Sequence, residues 1–324
     1  MKKQEFVVVV GVPGSGKTTW ANEYAASTNG IVVSSDDVRV DLWGDASIQK
    51  EQNKVFAEVH RRVIEGLKAK KTVIMDATNL HAKWRKALIR DMRSATKMDF
   101  RCICAVIATL PEVCIARQEQ RDRKVPAEVI RRYVTQFQVP FYNEGWDDIW
   151  IVKGDSMGFT QEFEASYDLP QDCKWHDFTI REHCRRAGMW FDIDENRKRI
   201  ETLPKEWADA LSIALPIHDI GKFRTKTFVD KEGVSSQEAH FYNHDTVGTY
   251  LWLCNAPLMG MLGNVELVLR VALIIQYHML HYSFKDDWNE IRKWAIKRGF
   301  DEDFANALEM MAAADKYAQK EKKQ

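Results

Sequence analysis

The stretch FVVVVGVPGSGKTTW at residues 6–20 limits what this chain can fold into more than any other. A phenylalanine and four valines read as a buried strand, and G-x-x-x-x-G-K-T follows at once. An apolar strand, a glycine-rich loop and a helix make the P-loop. Its backbone N–H groups wrap a β-phosphate, Lys17 bridges the β- and γ-phosphates, and the Thr18 hydroxyl turns to Mg²⁺. The loop residues Gly11, Gly14, Ser15, Gly16, Lys17, Thr18 and Thr19 are therefore expected to hold ATP or GTP with Mg²⁺. Such a loop needs a parallel sheet behind it. Up to residue 153 the runs FVVVV, GIVVSS, TVIMDAT, FRCICAVIA and DDIWIVK alternate with helical segments. Val55, Val59, Val63 and Leu67 form one apolar stripe on such a helix. The alternation predicts an α/β domain over 1–153, a parallel sheet with flanking helices.

The texture changes after that. Residues 154–170 (GDSMGFTQEFEASYDLP) keep no period and are expected to be a linker. Residues 171–324 read as an all-α domain, with strand character only around Thr227–Val234. A chain of 324 residues suits two domains of ~150 residues each. Lysines plus arginines number 47, as do aspartates plus glutamates, so no overall basic field marks a nucleic-acid binder and any such surface is local. MKKQEF leads straight into a strand, and no 18 apolar residues run uninterrupted. We expect a cytoplasmic chain with no membrane partner. The six cysteines form no C-x-x-C pair and are expected to be small buried apolar groups.

A kinase of this architecture needs a carboxylate at a strand end beside the P-loop, to take the proton of the acceptor hydroxyl. GIVVSSDDVR supplies Asp36, with Arg39 placed to grip an acceptor phosphate. Asp36 also reads as an ordinary helix N-cap. VIMDATN ends the third strand with Asp76, Thr78 and Asn79, candidates for Mg²⁺ water or acceptor. After the fourth strand, Arg117, Arg121, Arg123, Lys124, Arg131 and Arg132 suit a lid over the triphosphate, where guanidinium steadies charge on the moving phosphoryl group.

GVPGSGKTTW, SSDDVR, VIMDATNL, RDRKVP and VPFYNEGW, in this order, resemble the kinase domain of the polynucleotide 5′-kinases of phages and bacterial RNA-repair systems. The resemblance covers about 150 residues. It implies Asp36 as general base and Arg39 as the group that binds a 3′-phosphate on the acceptor. The Asp-Thr-Asn triplet that some members use is interrupted here by Ala77 between Asp76 and Thr78. Zeta-toxin-like and other small-molecule kinases share the P-loop and the acidic base.

In the second half the histidines concentrate: seven of nine lie beyond residue 170. IALPIHDIGK sets His218 beside Asp219, close enough at a helix edge for one ion to reach both. His183 in WHDFTIREHC and Asp315 in MMAAADKYA offer further ligands. This pattern resembles the HD phosphohydrolase superfamily. FYNHDTVG with His244 and ALIIQYH with His278 match its later segments. The resemblance implies a first ion on His183, His218, Asp219 and Asp315, with His244 and His278 holding a second or gripping substrate phosphate. Mixed imidazole and carboxylate ligation suits Mn²⁺, Ni²⁺, Co²⁺ or Zn²⁺, which lowers the pKa of water for attack on phosphorus. Lys222 is placed to neutralise phosphate oxygens. His176, His240 and His281 read as surface or supporting residues, and His278 is preferred over His281 by the spacing of the helix before it.

Both modules act on phosphate, and the ends of a broken strand give them a common substrate. A kinase–HD fusion resembles a bacterial RNA end-healing family in which the HD module comes first; here the kinase does. The combination implies a bifunctional enzyme acting on RNA or DNA ends, a 5′-kinase with a 3′-phosphatase or 2′,3′-cyclic phosphodiesterase. An RNA ligase is the implied partner, in a bacterium or a phage-infected host. The alternative is a nucleoside or nucleotide kinase joined to an HD nucleotide phosphohydrolase.

Overall fold

A computed structural model describes residues 3–154, 167–257 and 259–319. The chain divides into two compact units, Met1–Ser156 and Met157–Gln324.

The first unit is a five-stranded sheet in the order β2-β3-β1-β4-β5. The strands are β1 (Glu5–Val10), β2 (Ile31–Ser34), β3 (Val73–Asp76), β4 (Arg101–Ala108) and β5 (Asp148–Lys153). Every pairing is parallel, so each connection crosses over through helix. The helices are α1 (Lys17–Thr28), α2 (Ser35–Trp43), α3 (Gln52–Lys68), α4 (Ala82–Thr96), α5 (Pro111–Glu119) and α6 (Ala127–Val134). β1 is central and wholly buried, which is why after Glu5 it is apolar throughout, Phe6 and four valines. Val7 and Val9 pack with Ile74, Ile103, Ala105 and Ile107 against Ala21 and Ala25 of α1. The carboxyl ends of β1, β2 and β3 therefore lie side by side, where ligands of open α/β sheets bind.

Among its described residues the second unit is helical apart from one antiparallel hairpin, β6 (Lys226–Val229) with β7 (Ser235–Phe241). This hairpin occupies and extends the stretch with strand character. The helices are α7 (Ile180–Met189), α8 (Asp194–Ile200), α9 (Lys205–Ala214), α10 (Lys222–Thr225), α11 (His244–Asn255), α12 (Val265–Tyr277), α13 (Leu280–Ser283), α14 (Trp288–Lys297) and α15 (Glu302–Ala318). Trp207, Tyr250, Trp252 and Phe304 fill the core, and Trp252 Nε1 donates to the Val268 carbonyl at 2.9 Å. Tyr167 packs with Ile180 and Cys184, so the end of the expected linker belongs to this core; residues 155–166 lie outside the described residues. Five cysteines are buried as expected, and Cys173 is only half-buried. Among the described residues no helix is long and apolar enough to cross a membrane.

Candidate functional site

The P-loop turns from β1 into α1. Gly14 has φ +82°, and a Cβ there would meet the Cys114 carbonyl oxygen at 2.5 Å, so only glycine lets the loop pass α5. Lys17 Nζ donates to the Val12 carbonyl at 2.9 Å. Burial pushes its ammonium pKa down, against the pull of Asp76, Cys114 and Asp36. Thr18 Oγ1 donates to Asp76 Oδ2 at 2.6 Å, joining a loop hydroxyl and a strand-end carboxylate into an oxygen pair suited to Mg²⁺. Arg117 on α5 donates to the Gly14 carbonyl at 3.2 Å. With Arg121, Gly16, Thr19, Trp20 and Val152 it lines a cleft of about 590 Å³.

Ser34 caps α2: its side chain accepts the N–H groups of Asp36 and Asp37 at 3.1 and 3.4 Å. Asp36 is therefore not the cap, and its carboxylate stands 56% exposed, accepting from Arg39 at 2.8 Å and Arg123 at 3.4 Å. Arg39 itself is buried, tied to Asp36, to the Ser35 carbonyl at 3.1 Å and to Gln52 Oε1 at 2.9 Å. Only its Nε is without a partner. Burial, then Asp76 and Asp36, push the Asp37 carboxyl up, which marks a crowded acidic edge. The Thr78 carbonyl accepts from Gly11 N–H at 3.1 Å and Asn79 Nδ2 donates to the Val9 carbonyl at 2.8 Å, so both brace the loop. Arg117 and Arg121 line the cleft beside the loop and Arg123 reaches Asp36, while Lys124, Arg131 and Arg132, exposed like Arg121 and Arg123, do not line that cleft.

The sequence reading missed Arg85. This fully buried guanidinium donates to both Glu144 oxygens at 2.8 and 2.6 Å, to the Asn79 carbonyl at 2.9 Å and to the Gln138 carbonyl at 3.0 Å. It clamps the 138–146 loop to the segment that braces the P-loop. The available signal was Glu144 in VPFYNEGW, a carboxylate between aromatics that must find a cation if buried.

In the second unit four histidines and two aspartates converge, all buried: His183, His218, Asp219 and Asp315 form one group, and Asp219, His244 and His278 another. Asp219 belongs to both. Its Oδ2 lies 3.3 Å from His183 Nε2 and 3.5 Å from His218 Nε2, its Oδ1 3.3 Å from His244 Nε2 and 3.6 Å from His278 Nε2. Asp315 Oδ1 lies 2.9 Å from His183 and 3.4 Å from His218. Each imidazole bonds a backbone carbonyl through Nδ1: His183 to Ala318, His218 to Leu215, His244 to Phe241 and His278 to Ile275. A carbonyl only accepts, so each Nδ1 carries a hydrogen and each Nε2 aims a lone pair inward. Nε2 of His183 sits 3.2 Å from that of His218, and Nε2 of His244 3.2 Å from that of His278. Facing lone pairs at that distance repel unless a cation lies beside them, and the donor set fits a metal ion in each group. Burial opposes charge on His183, but Asp219 and Asp315 outweigh it and raise the ring to about 9, so without a metal a proton occupies the Nε2 lone pair that an ion would otherwise take.

Lys222 and Gly221 complete the site. A Cβ at Gly221 would meet the His244 carbonyl oxygen at 2.0 Å, so glycine lets the His218–Asp219 turn approach α11. Lys222 Nζ pairs with Asp219 at 2.7 Å and donates to Gln171 Oε1 at 2.8 Å, with His176 Nε2 at 3.4 Å. Burial, then Lys222, push His176 down to about 3, so its ring is neutral. His281 turns away to Asp286 at 2.6 Å, while His278 joins the cluster.

Comparison with known proteins bears on the first unit. The AAA domain family model matches residues 6–140. L-seryl-tRNA(Sec) kinase of Methanococcus maripaludis is 24% identical over 164 residues, 48% of this chain and 62% of that protein, so the match spans less than two thirds of it. Among solved structures, a chain of the Pnkp1/Rnl/Hen1 RNA repair complex is 26% identical, covering 42% of this chain and 44% of that one with a TM-score of 0.36. A gluconokinase from Sinorhizobium meliloti 1021 is 13% identical, covering 46% of this chain and 82% of its own with a TM-score of 0.32. The family model stops well short of the buried histidines. The N-terminal region of this chain is a P-loop domain built on a five-stranded parallel sheet, and residues 6–140 match the AAA domain model.

Proposed function

We propose that the chain is a bifunctional end-healing enzyme, an ATP-dependent 5′-hydroxyl polynucleotide kinase in the first unit and a phosphohydrolase for 3′-phosphate or 2′,3′-cyclic phosphate ends in the second. The carrying observation is one chain that pairs a P-loop and its strand-end carboxylate with a separate buried cluster sharing Asp219. The kinase relative is named for L-seryl-tRNA(Sec), a seryl group carried on RNA, which supports an acceptor that includes RNA.

In the first reaction Asp36 accepts the proton of the 5′-hydroxyl, and Arg39 holds that carboxylate in place. The O5′–phosphorus bond forms as the bond from the γ-phosphorus to the β–γ bridging oxygen breaks, and ADP leaves. Lys17, Arg117, Arg121 and Arg123 steady the charge that spreads over the transferring group. Thr18 and Asp76 would hold Mg²⁺, which neutralises phosphate oxygens.

In the second, His183, His218, Asp219 and Asp315 would hold one ion and Asp219, His244 and His278 another, of Mn²⁺, Ni²⁺, Co²⁺ or Zn²⁺ type. Such ions supply Lewis-acid polarisation and a water of lowered pKa. Lys222 sets a positive charge beside Asp219 for the substrate phosphate. Water oxygen bonds to phosphorus as the ester P–O bond breaks, and the departing oxygen takes a proton.

The test is end-resolved mass spectrometry of an RNA oligonucleotide bearing 5′-hydroxyl and 2′,3′-cyclic phosphate, incubated with protein, ATP, Mg²⁺ and Mn²⁺. A new 5′-phosphate and an opened or freed 3′ end are expected. Reaction of nucleosides and mononucleotides alone would overturn the strand-end reading.

A further inference from the structure

Aromatic rings lie on three segments joined in sequence to the buried cluster, two of them exposed and the third, Tyr242, half-buried. Trp175 is 61% exposed and precedes His176, whose ring lies 4.7 Å from that of His183 and whose Nε2 is 3.4 Å from Lys222 Nζ. Tyr242 stands two residues before His244, stacked on His240 at 5.3 Å. Phe228, 44% exposed, lies on the strand that follows Lys222. Each has a lysine at its face: Lys174 over Trp175 at 5.2 Å, Lys231 over Tyr242 at 5.7 Å and Lys226 over Phe228 at 5.7 Å.

The backbone holds Trp175 in this place. Ala239 N–H donates to the Asp172 carbonyl at 2.9 Å, Lys226 Nζ reaches Asp172 Oδ2 at 2.6 Å, and Lys174 pairs with Glu238 at 3.6 Å. The 172–176 segment is thereby tied along the hairpin. An indole held in solvent fills no core. Aromatic faces interleaved with ammonium groups are the chemistry that takes the bases and phosphates of a single strand.

We infer that Trp175, with Lys174 at its face, stacks the nucleobase next to the terminal phosphate. It gives the second unit a preference for a single-stranded nucleic-acid 3′ end over a mononucleotide. This rests on the hydrolase reading above. The substrates are a short RNA carrying 5′-phosphate and 2′,3′-cyclic phosphate, which offers the kinase no hydroxyl, and the matching cyclic mononucleotide. In Trp175→Ala the ratio of kcat/KM for oligonucleotide over mononucleotide falls about tenfold, the loss of one base stack, and Trp175→Phe restores most of it. Hydroxyl-radical footprinting read by peptide mass spectrometry shows Trp175 protected by the RNA. An unchanged ratio in Trp175→Ala, or no protection, overturns the inference while hydrolysis stands. If the unsubstituted protein hydrolyses neither substrate, the hydrolase reading fails; the footprint then decides, protection upholding the stack and its absence overturning it.

Discussion

At the scale of single residues, Asp219 is the group on which the second site turns. One carboxylate oxygen faces His183 and His218, the other faces His244 and His278. Removing it takes a ligand from both groups at once, whereas removing His278 touches only one. Elemental analysis of purified protein after loading with Mn²⁺ should find two ions per chain, fewer than one in Asp219→Ala, and one in His278→Ala. Equal loss in the two variants would mean the groups do not bind separately. Asp36 shows the opposite economy. Because Ser34 serves as the helix cap, the Asp36 carboxylate stays exposed and accepts from two arginines instead of from the backbone. Asp36 as acid and Ser34 as neighbour were both visible in SSDD, but which of them caps the helix depends on the backbone turn at Ser34, and a row of four capping residue types does not specify that.

At the scale of elements, the segment that braces the P-loop depends on how α4 meets the 138–146 loop. Arg85 and Glu144 are buried together, and breaking one partner leaves the other charge without compensation. Arg85→Met is expected to cost about 3–5 kcal/mol in urea denaturation of the first unit, and Arg85→Met with Glu144→Leu to recover most of it. If the single variant unfolds at the same urea concentration as the parent, the pair is not a clamp. The sequence hid this pair for a physical reason. Arginines are frequent on helix faces, and α4 carries Arg85, Arg90 and Arg93 with only the first fully buried. The strands, by contrast, were legible, because a central parallel strand covered on both faces must be apolar at every position.

At the scale of the whole molecule, each compact unit carries its own polar cluster, the P-loop with Asp76 in the first and the buried histidines and aspartates in the second. The two proposed reactions are therefore expected to separate. Lys17→Ala or Asp36→Ala should lower phosphoryl transfer at least ~100-fold and leave hydrolysis of the cyclic phosphate at the parent rate, with Asp219→Ala doing the reverse. Loss of both activities in a folded single variant would contradict independent sites; transfer of phosphate by end-labelling and release from a cyclic end measure them side by side. What the amino-acid sequence determined by itself is the local chemistry: a strand that must be buried, a glycine loop that must turn, and the histidine and aspartate residues able to meet a metal. What only the tertiary structure decided is convergence. Asp219 meets four imidazoles from separate segments, with Nδ1 of each histidine anchored to a carbonyl. Likewise Arg85 becomes a clamp rather than a surface charge. Spacing along a chain specifies which side chains share one helix face, but not which distant segments pack against it, and the buried contacts that align these residues exist only after that packing.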